Sequence, residues 1–200
     1  MLAQTKKSVN VRALVMTAML SAISFILTFL SFSVPFMPSF IKLDVSDLPA
    51  LIGSFSLGPV YGVVICLIKN LLGLMRTYTA GVGELSNFLL SAMFVLPAGL
   101  IYKHNKTRKG AIIGSLIGAV CMAVGSAFTN IFVVYPVYYK IMPKEVILQA
   151  YQAIIPAMKS VEQSIICFNV PFTFLKAMLS VIISLLTYKR LSPIIKGTRK

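Results

Sequence analysis

Residues 48–70 read LPALIGSFSLGPVYGVVICLIKN. Hydropathy takes this stretch, and the wider run 47–75 around it, as one apolar segment. Turn chemistry divides it at Ser56-Leu57-Gly58-Pro59, because proline starts a helix and stops the one before it, while glycine supplies the turn conformation between them. The number of helices, and the side on which each loop falls, depends on that division.

Composition sets the environment. Hydrophobic residues make up 58% of the 200-residue chain and charged ones 12%, with a mean hydropathy of +0.88; a soluble domain carries about 25% charged residues. These values describe an integral membrane protein. A formal net charge of +14 would suit nucleic acid if the basic residues formed a patch on a folded polar face. They cluster between apolar segments instead, so no nucleic-acid partner is expected. The apolar run 11–32 exceeds the ~7–15 residues of a signal-peptide core and lacks a small-x-small exit, which makes it a retained span. Spans of about 20 residues limit the chain to six or seven helices in a single membrane domain covering 1–200.

Three segments concentrate positive charge: the start (Lys6, Lys7, Arg12), KHNKTRK at 103–109, and the tail (Lys189, Arg190, Lys196, Arg199, Lys200). The positive-inside rule puts all three in the cytoplasm. An undivided run 47–75 would give three crossings before KHNKTRK and strand that loop outside, so the number of crossings must be even. The division at Gly58-Pro59 supplies the missing one. The expected architecture is an all-α integral membrane protein: a compact six-transmembrane-helix bundle with helices at 11–32, 47–57, 59–75, 84–102, 110–135 and 161–188, both termini cytoplasmic. Twelve of the nineteen basic residues then lie inside, and the five acids (Asp44, Asp47, Glu84, Glu145, Glu162) lie towards the outer side. The helix 47–57 would rise only about 17 Å against a hydrocarbon core of about 30 Å. The preceding segment SVPFMPSFIKLDVSD, 33–47, is therefore expected to dip into the protein and frame a pocket on the outer side, because irregular backbone is tolerated where helices cover it. PKEVILQAYQAI, 143–154, is amphipathic and reads as a short interfacial helix over the same mouth.

Ionisable groups inside membrane helices are costly and point to function unless they snorkel or pair. Lys69 has the structural options of snorkelling or pairing with an acid, and Asn70 beside it reads as interhelical glue. Lys176 is the stronger candidate. It lies some twelve residues before the end of the last helix, too deep to snorkel, and Pro171 upstream frees backbone carbonyls, a common way of shaping a site. A ligand contact is favoured for it, with a buried ion pair to Glu84 or an aspartate as the alternative. Asn169 and Thr173 stand on the same helix, and Thr173 shares a face with Lys176. Asn130, near the end of the fifth helix, divides evenly between cavity and interhelical contact. So does Glu84 between helix start and binding site, because a carboxylate suits a helix N-terminus and the flanking Gly81 and Gly83 allow close approach of a ligand. Ala18-x-x-x-Ala22 in helix 1 and Gly110, Gly114 and Gly118 in helix 5 allow helices to approach closely, with internal packing the plain reading.

Enzyme chemistry finds no support. There is no HExxH, P-loop, GxSxG or paired catalytic carboxylate, and without a Walker lysine loop the chain cannot hydrolyse ATP itself. His104 sits in the basic loop as a solvated side chain. Cys66, Cys121 and Cys167 lie in apolar runs without CxxC spacing, as free thiols rather than metal ligands. The two halves do not resemble each other, which argues against an inverted-repeat carrier.

Three segments, FIKLDVSDLPALIGSFSLGPVYGVVICLIKNLLGL (40–74), GVGELSNFLLSAMFVLPAGLIY (81–102) and FNVPFTFLKAMLSVIISLLTYKRL (168–191), together resemble the substrate-binding S components of energy-coupling factor (ECF) transporters, of the riboflavin type. The resemblance implies a multi-pass protein of the prokaryotic cell membrane that captures riboflavin from outside with high affinity, as transported ligand and not as a cofactor. It also implies a transmembrane coupling subunit and two cytoplasmic ATPase subunits as partners. Ala18 and Ala22 correspond to the surface on which the coupling subunit docks. Ligand contacts would come from Glu84 at the start of helix 4, Asn130 near the end of helix 5, and Lys176 on helix 6. Thr173 departs from the family pattern, which has asparagine there: either its hydroxyl serves alone, or Asn169 one turn earlier compensates. Phe36, Phe40, Leu43 and Asp44 in the dipping segment complete the candidate site, the apolar ones as walls around a flat ring system. The competing expectations are an S component for another small molecule and a self-sufficient membrane carrier.

Overall fold

The structure is a computed structural model that describes residues 10–196 apart from Phe36, Ser39, Phe40, Tyr78, Thr79, Ile141 and Met142; for Lys189, Ser192 and residues 194–196 only the backbone is described. Helix α1 spans Val11–Phe29, opened by Asn10, whose side chain accepts from the Ala13 N–H at 3.2 Å. Its buried residues, Ala13, Thr17, Leu20, Ser21 and Ser24, form one stripe at helical spacing. The helix ends at Phe29 rather than at 32, because Phe32–Ser33 (β1) pairs antiparallel with Lys42–Leu43 (β2) in a two-residue ladder, Phe32 opposite Leu43. Amid the helices expected from sequence, this small hairpin is the one sheet among the described residues.

The division at Gly58-Pro59 is borne out. Helix α2, Leu48–Ser56, ends with the Leu57 and Gly58 N–H groups both donating to the Gly53 carbonyl, at 2.8 and 3.3 Å. Gly58 then adopts φ +125°, a conformation that side chains oppose, and Pro59 opens α3, Pro59–Gly73, which runs into a 3-10 turn at Leu74–Arg76. Seven consecutive residues of α2, Pro49 to Phe55, are buried, and it packs against α1, α3, and the helices Val82–His104 (α4) and Val170–Lys196 (α9). A helix buried on all sides belongs in the core of the bundle, which is how so short a piece is accommodated at membrane depth. Five stretches have the length and hydropathy of a membrane span: Val11–Phe29, Pro59–Arg76, Val82–His104, Arg108–Tyr138 and Val161–Tyr188. By that measure 47–57 is not a sixth.

Helix α4, Val82–His104, and α5, Arg108–Thr129, form the closest pair. The α5 glycines make this possible: a Cβ on Gly118 would stand 2.3 Å from the Phe94 carbonyl oxygen, and one on Gly114 2.7 Å from that of Ala98. Internal packing, the plain reading of the glycine series, is what these contacts are.

Two helices carry a single π turn. Beyond α5 the chain passes through Asn130–Val134 in π geometry into α6, Tyr135–Tyr138, so the fifth helix runs past its expected end at 135. Near the C-terminus, α8 (Val161–Ser164) passes through a π turn at Ile165–Asn169 into α9, Val170–Lys196. Between them lies α7, Lys144–Gln152, the short amphipathic helix expected from 143–154, with Ile147 and Tyr151 on its buried face. The apolar interior falls into two clusters, a larger one built around α2 and a smaller one where α7 covers Val134, Tyr135, Val161 and Ile165.

Candidate ligand-binding site

A cavity of about 380 Å³ lies between the two clusters, bounded by Leu90 and Met122 on one side and Val134 and Tyr135 on the other. Its volume falls within the ~300–1,000 Å³ usual for small-molecule sites. Its lining takes Gly83, Glu84, Ser86 and Asn87 from the first turns of α4, while the basic segment 103–109 lies at the other end of that helix.

Six of the nine ligand-site residues expected from sequence line this one cavity: Asp44, Glu84, Asn130, Asn169, Thr173 and Lys176. Leu43, half-buried in β2, is not among the lining residues, although its neighbours Ile41 and Lys42 are. Phe40, like Phe36, lies outside the described residues.

The local reasons differ. Glu84 stands in the first turn of α4, after Gly81 in left-handed geometry at φ +85°, and accepts a hydrogen bond from the Thr77 hydroxyl at 2.7 Å. The Thr77 hydroxyl in turn accepts from the Gly81 N–H at 3.0 Å, tying the α3–α4 turn to the carboxylate. Asn130 opens the first π turn, where its Nδ2 donates to the Ser126 carbonyl at 2.8 Å. Asn169 closes the second, and Thr173 and Lys176 follow at four- and seven-residue spacing, so all three line the cavity from one face of the helix.

The two membrane-depth lysines are both paired with aspartates of the dipping segment. Lys69, 3% exposed, donates to Asp47 Oδ1 at 2.6 Å, Ser46 Oγ at 3.1 Å and Ser91 Oγ at 3.3 Å. Ser91 also donates to Asp47 Oδ1, at 2.5 Å. Lys176 donates to Asp44 Oδ2 at 2.9 Å, so the aspartate alternative raised for it is realised while its ammonium still lines the cavity. Ser24 adds a third tie by donating to the Ser46 carbonyl. Residues 44–47 are thus clasped by α1, α3 and α9.

Sequence reasoning passed over several lining residues. Asn87 lies three residues after Glu84, a spacing that could have revealed it. Arg76 also lines the cavity, with its guanidinium 3.8 Å from the centroid of the Phe29 ring. Tyr135 and Tyr138 carried no signal beyond their aromatic character. On α1, Ala18 and Ala22 lie away from the cavity on an exposed face with Leu14, Val15 and Met19. No group of three or more metal-ligating side chains occurs among the described residues.

The profile of the family described as the ECF transporter, substrate-specific component, matches residues 12–188. The chain belongs to this family. It is 35% identical over 185 residues to the riboflavin transporter RibU of Staphylococcus aureus, covering 92% of this chain and 93% of that one. It is 28% identical over 193 residues to the riboflavin transporter FmnP of Bacillus subtilis, covering 95% and 97%. A solved structure, the S component of a bacterial ECF transporter, superposes with a TM-score of 0.72 at 35% identity over 92% of this chain and 97% of that one. The substrate-specific component is a transporter part and not an enzyme, and its apolar helices are those of a membrane protein.

Proposed function

We propose that the protein is the riboflavin-binding S component of an ECF-type, ATP-driven vitamin importer. The observation that carries this reading is the meeting of Glu84, Asn130, Thr173 and Lys176, which lie far apart in sequence, on one cavity in a chain 35% identical to a riboflavin transporter. The chemistry of the cavity suits the ligand. Isoalloxazine presents two carbonyl acceptors flanking an imide N–H on a flat apolar ring system, and the ribityl chain adds hydroxyls. Lys176 has spent one of its three N–H donors on Asp44, leaving two for acceptors. Glu84 can accept from an N–H or a hydroxyl, Asn130 keeps its amide oxygen as an acceptor, and Ile41, Leu90, Met122 and Phe172 supply apolar wall.

The topology supported by the charge pattern has both termini and the 103–109 loop in the cytoplasm. α2 and the dipping segment together make the sixth crossing, and the cavity faces outside across the cell membrane. In this arrangement the exposed α1 face at Ala18 and Ala22 receives a transmembrane coupling subunit, and two ATPase subunits supply the energy. Absorbance of the purified protein and titration with riboflavin test the substrate: bound flavin or tight quenching of riboflavin fluorescence is expected. Colourless protein that ignores riboflavin and binds a different vitamin would overturn the assignment. Uptake into vesicles holding this chain alone would favour a self-sufficient carrier.

A further inference from the structure

Asn169 closes a hydrogen-bonded ring with two tyrosines. The Tyr151 hydroxyl donates to Asn169 Oδ1 at 2.8 Å, Asn169 Nδ2 donates to the Tyr135 hydroxyl at 3.2 Å, and the two hydroxyl oxygens stand 2.5 Å apart. Counting protons orients the ring. A phenol has one proton to give, and that of Tyr151 goes to the amide oxygen, so Tyr135 is the donor in the contact between the hydroxyls. Each member then donates once and accepts once within the ring, and the amide lies with its oxygen towards α7 and its nitrogen towards the first π turn. Turning the amide together with both hydroxyl protons would close the same circuit in the opposite sense, so what the ring fixes is the place and plane of the amide. Burial pushes the Tyr151 phenol far above its ordinary range, so it remains a donor at any pH at which the protein is handled.

Asn169 and Tyr135 line the cavity, whereas Tyr151 is fully buried behind them and does not. Asn169 is 93% buried, and its second amide N–H and second lone pair have no partner among the described residues. It therefore offers one donor and one acceptor to an occupant of the cavity, with the plane of the amide held from outside it. Thr173, one turn later where the family resemblance leads to an asparagine, offers a single hydroxyl.

We propose that Asn169 is a ligand-contacting amide of this site and that Tyr151 is its positioning residue, fixing the amide's place and plane from α7 without touching the ligand. The proposal rests on the riboflavin reading and extends it to a residue on the covering helix. The rival account makes the ring a plain structural tie between α7 and the bundle. In that case loss of the Tyr151 hydroxyl would affect folding stability alone.

A double-mutant cycle separates the two, read by quenching of riboflavin fluorescence in detergent-solubilised protein. Tyr151→Phe keeps the aromatic packing on Phe168, whose ring centroid lies 5.4 Å away. It should weaken riboflavin binding roughly three- to tenfold, the size of one hydrogen bond's net contribution. Asn169→Ala should weaken it at least as much. In the Asn169→Ala background, Tyr151→Phe should cost less than about twofold, because the group it acts through is gone. If Tyr151→Phe lowers the yield of folded protein, Tyr135→Phe breaks the same ring from the other side and enters the same cycle. Wild-type affinity in Tyr151→Phe, or an equal loss in both backgrounds, overturns the proposal while leaving riboflavin as substrate. Wild-type protein that ignores riboflavin overturns both.

Discussion

Lysine carries three donors and no acceptor, and the two lysines at membrane depth use them differently. Lys69 gives all three to Asp47, Ser46 and Ser91, so it has none left for a ligand, even though it borders the cavity. Lys176 gives one to Asp44 and retains two. The same substitution should therefore fail in different ways. Lys69→Met strands Asp47, 1% exposed, without its counter-charge and should destabilise the fold by about 3–5 kcal/mol, seen as a lower thermal midpoint in detergent. Lys176→Met also takes the partner from Asp44, but Asp44 borders the open cavity, so the stability cost should be smaller than for Lys69→Met. Riboflavin affinity should fall roughly ten- to a hundredfold, the scale of hydrogen bonds from a charged group. Glu84→Gln keeps size and helix position but removes the charge. Weakened riboflavin binding in folded protein is expected, and unaltered affinity would reduce Glu84 to a helix start.

Among the elements, the α4–α5 pair is set by backbone proximity. A Cβ on Gly118 would sit 2.3 Å from the Phe94 carbonyl oxygen, which belongs to a helix and cannot move aside alone. Gly118→Ala should therefore cost about 1–3 kcal/mol of stability, as overpacking does, measured by thermal unfolding of ligand-free protein. The spacing of those glycines was readable in the sequence, as were the α2–α3 turn at Gly58-Pro59 and the amphipathic α7, because each is a pattern within a few turns of chain. The π turns at Asn130–Val134 and Ile165–Asn169 were not. One extra residue in a helical turn leaves no compositional trace, and here both turns carry cavity-lining asparagines.

At the scale of the whole molecule, the charge pattern makes a topological prediction. In a cysteine-free background, Asn105→Cys should react with an impermeant thiol reagent only from the cytoplasmic side, and Glu145→Cys only from the outside. Inverted labelling would refute the parity argument. Ala18→Leu with Ala22→Leu, both on the exposed face of α1, should preserve riboflavin binding in isolation and abolish uptake in cells that contain the coupling and ATPase subunits. Retained uptake would remove that face from the docking surface.

Local chemistry and coarse charge determined the membrane setting, the division of the apolar run at 58–59, the short amphipathic helix α7 and a short roster of polar residues that membrane depth makes costly. Tertiary structure alone decided which of those residues meet. Lys176 finds Asp44 across 132 residues of sequence, Tyr151 reaches Asn169 from a different helix, and Leu43 lies off the cavity that its neighbours line. Periodicity and turn signals report how a segment folds against its own near neighbours. A donor meets its acceptor only where packed helices bring distant segments within about 3 Å, and no local pattern encodes that distance.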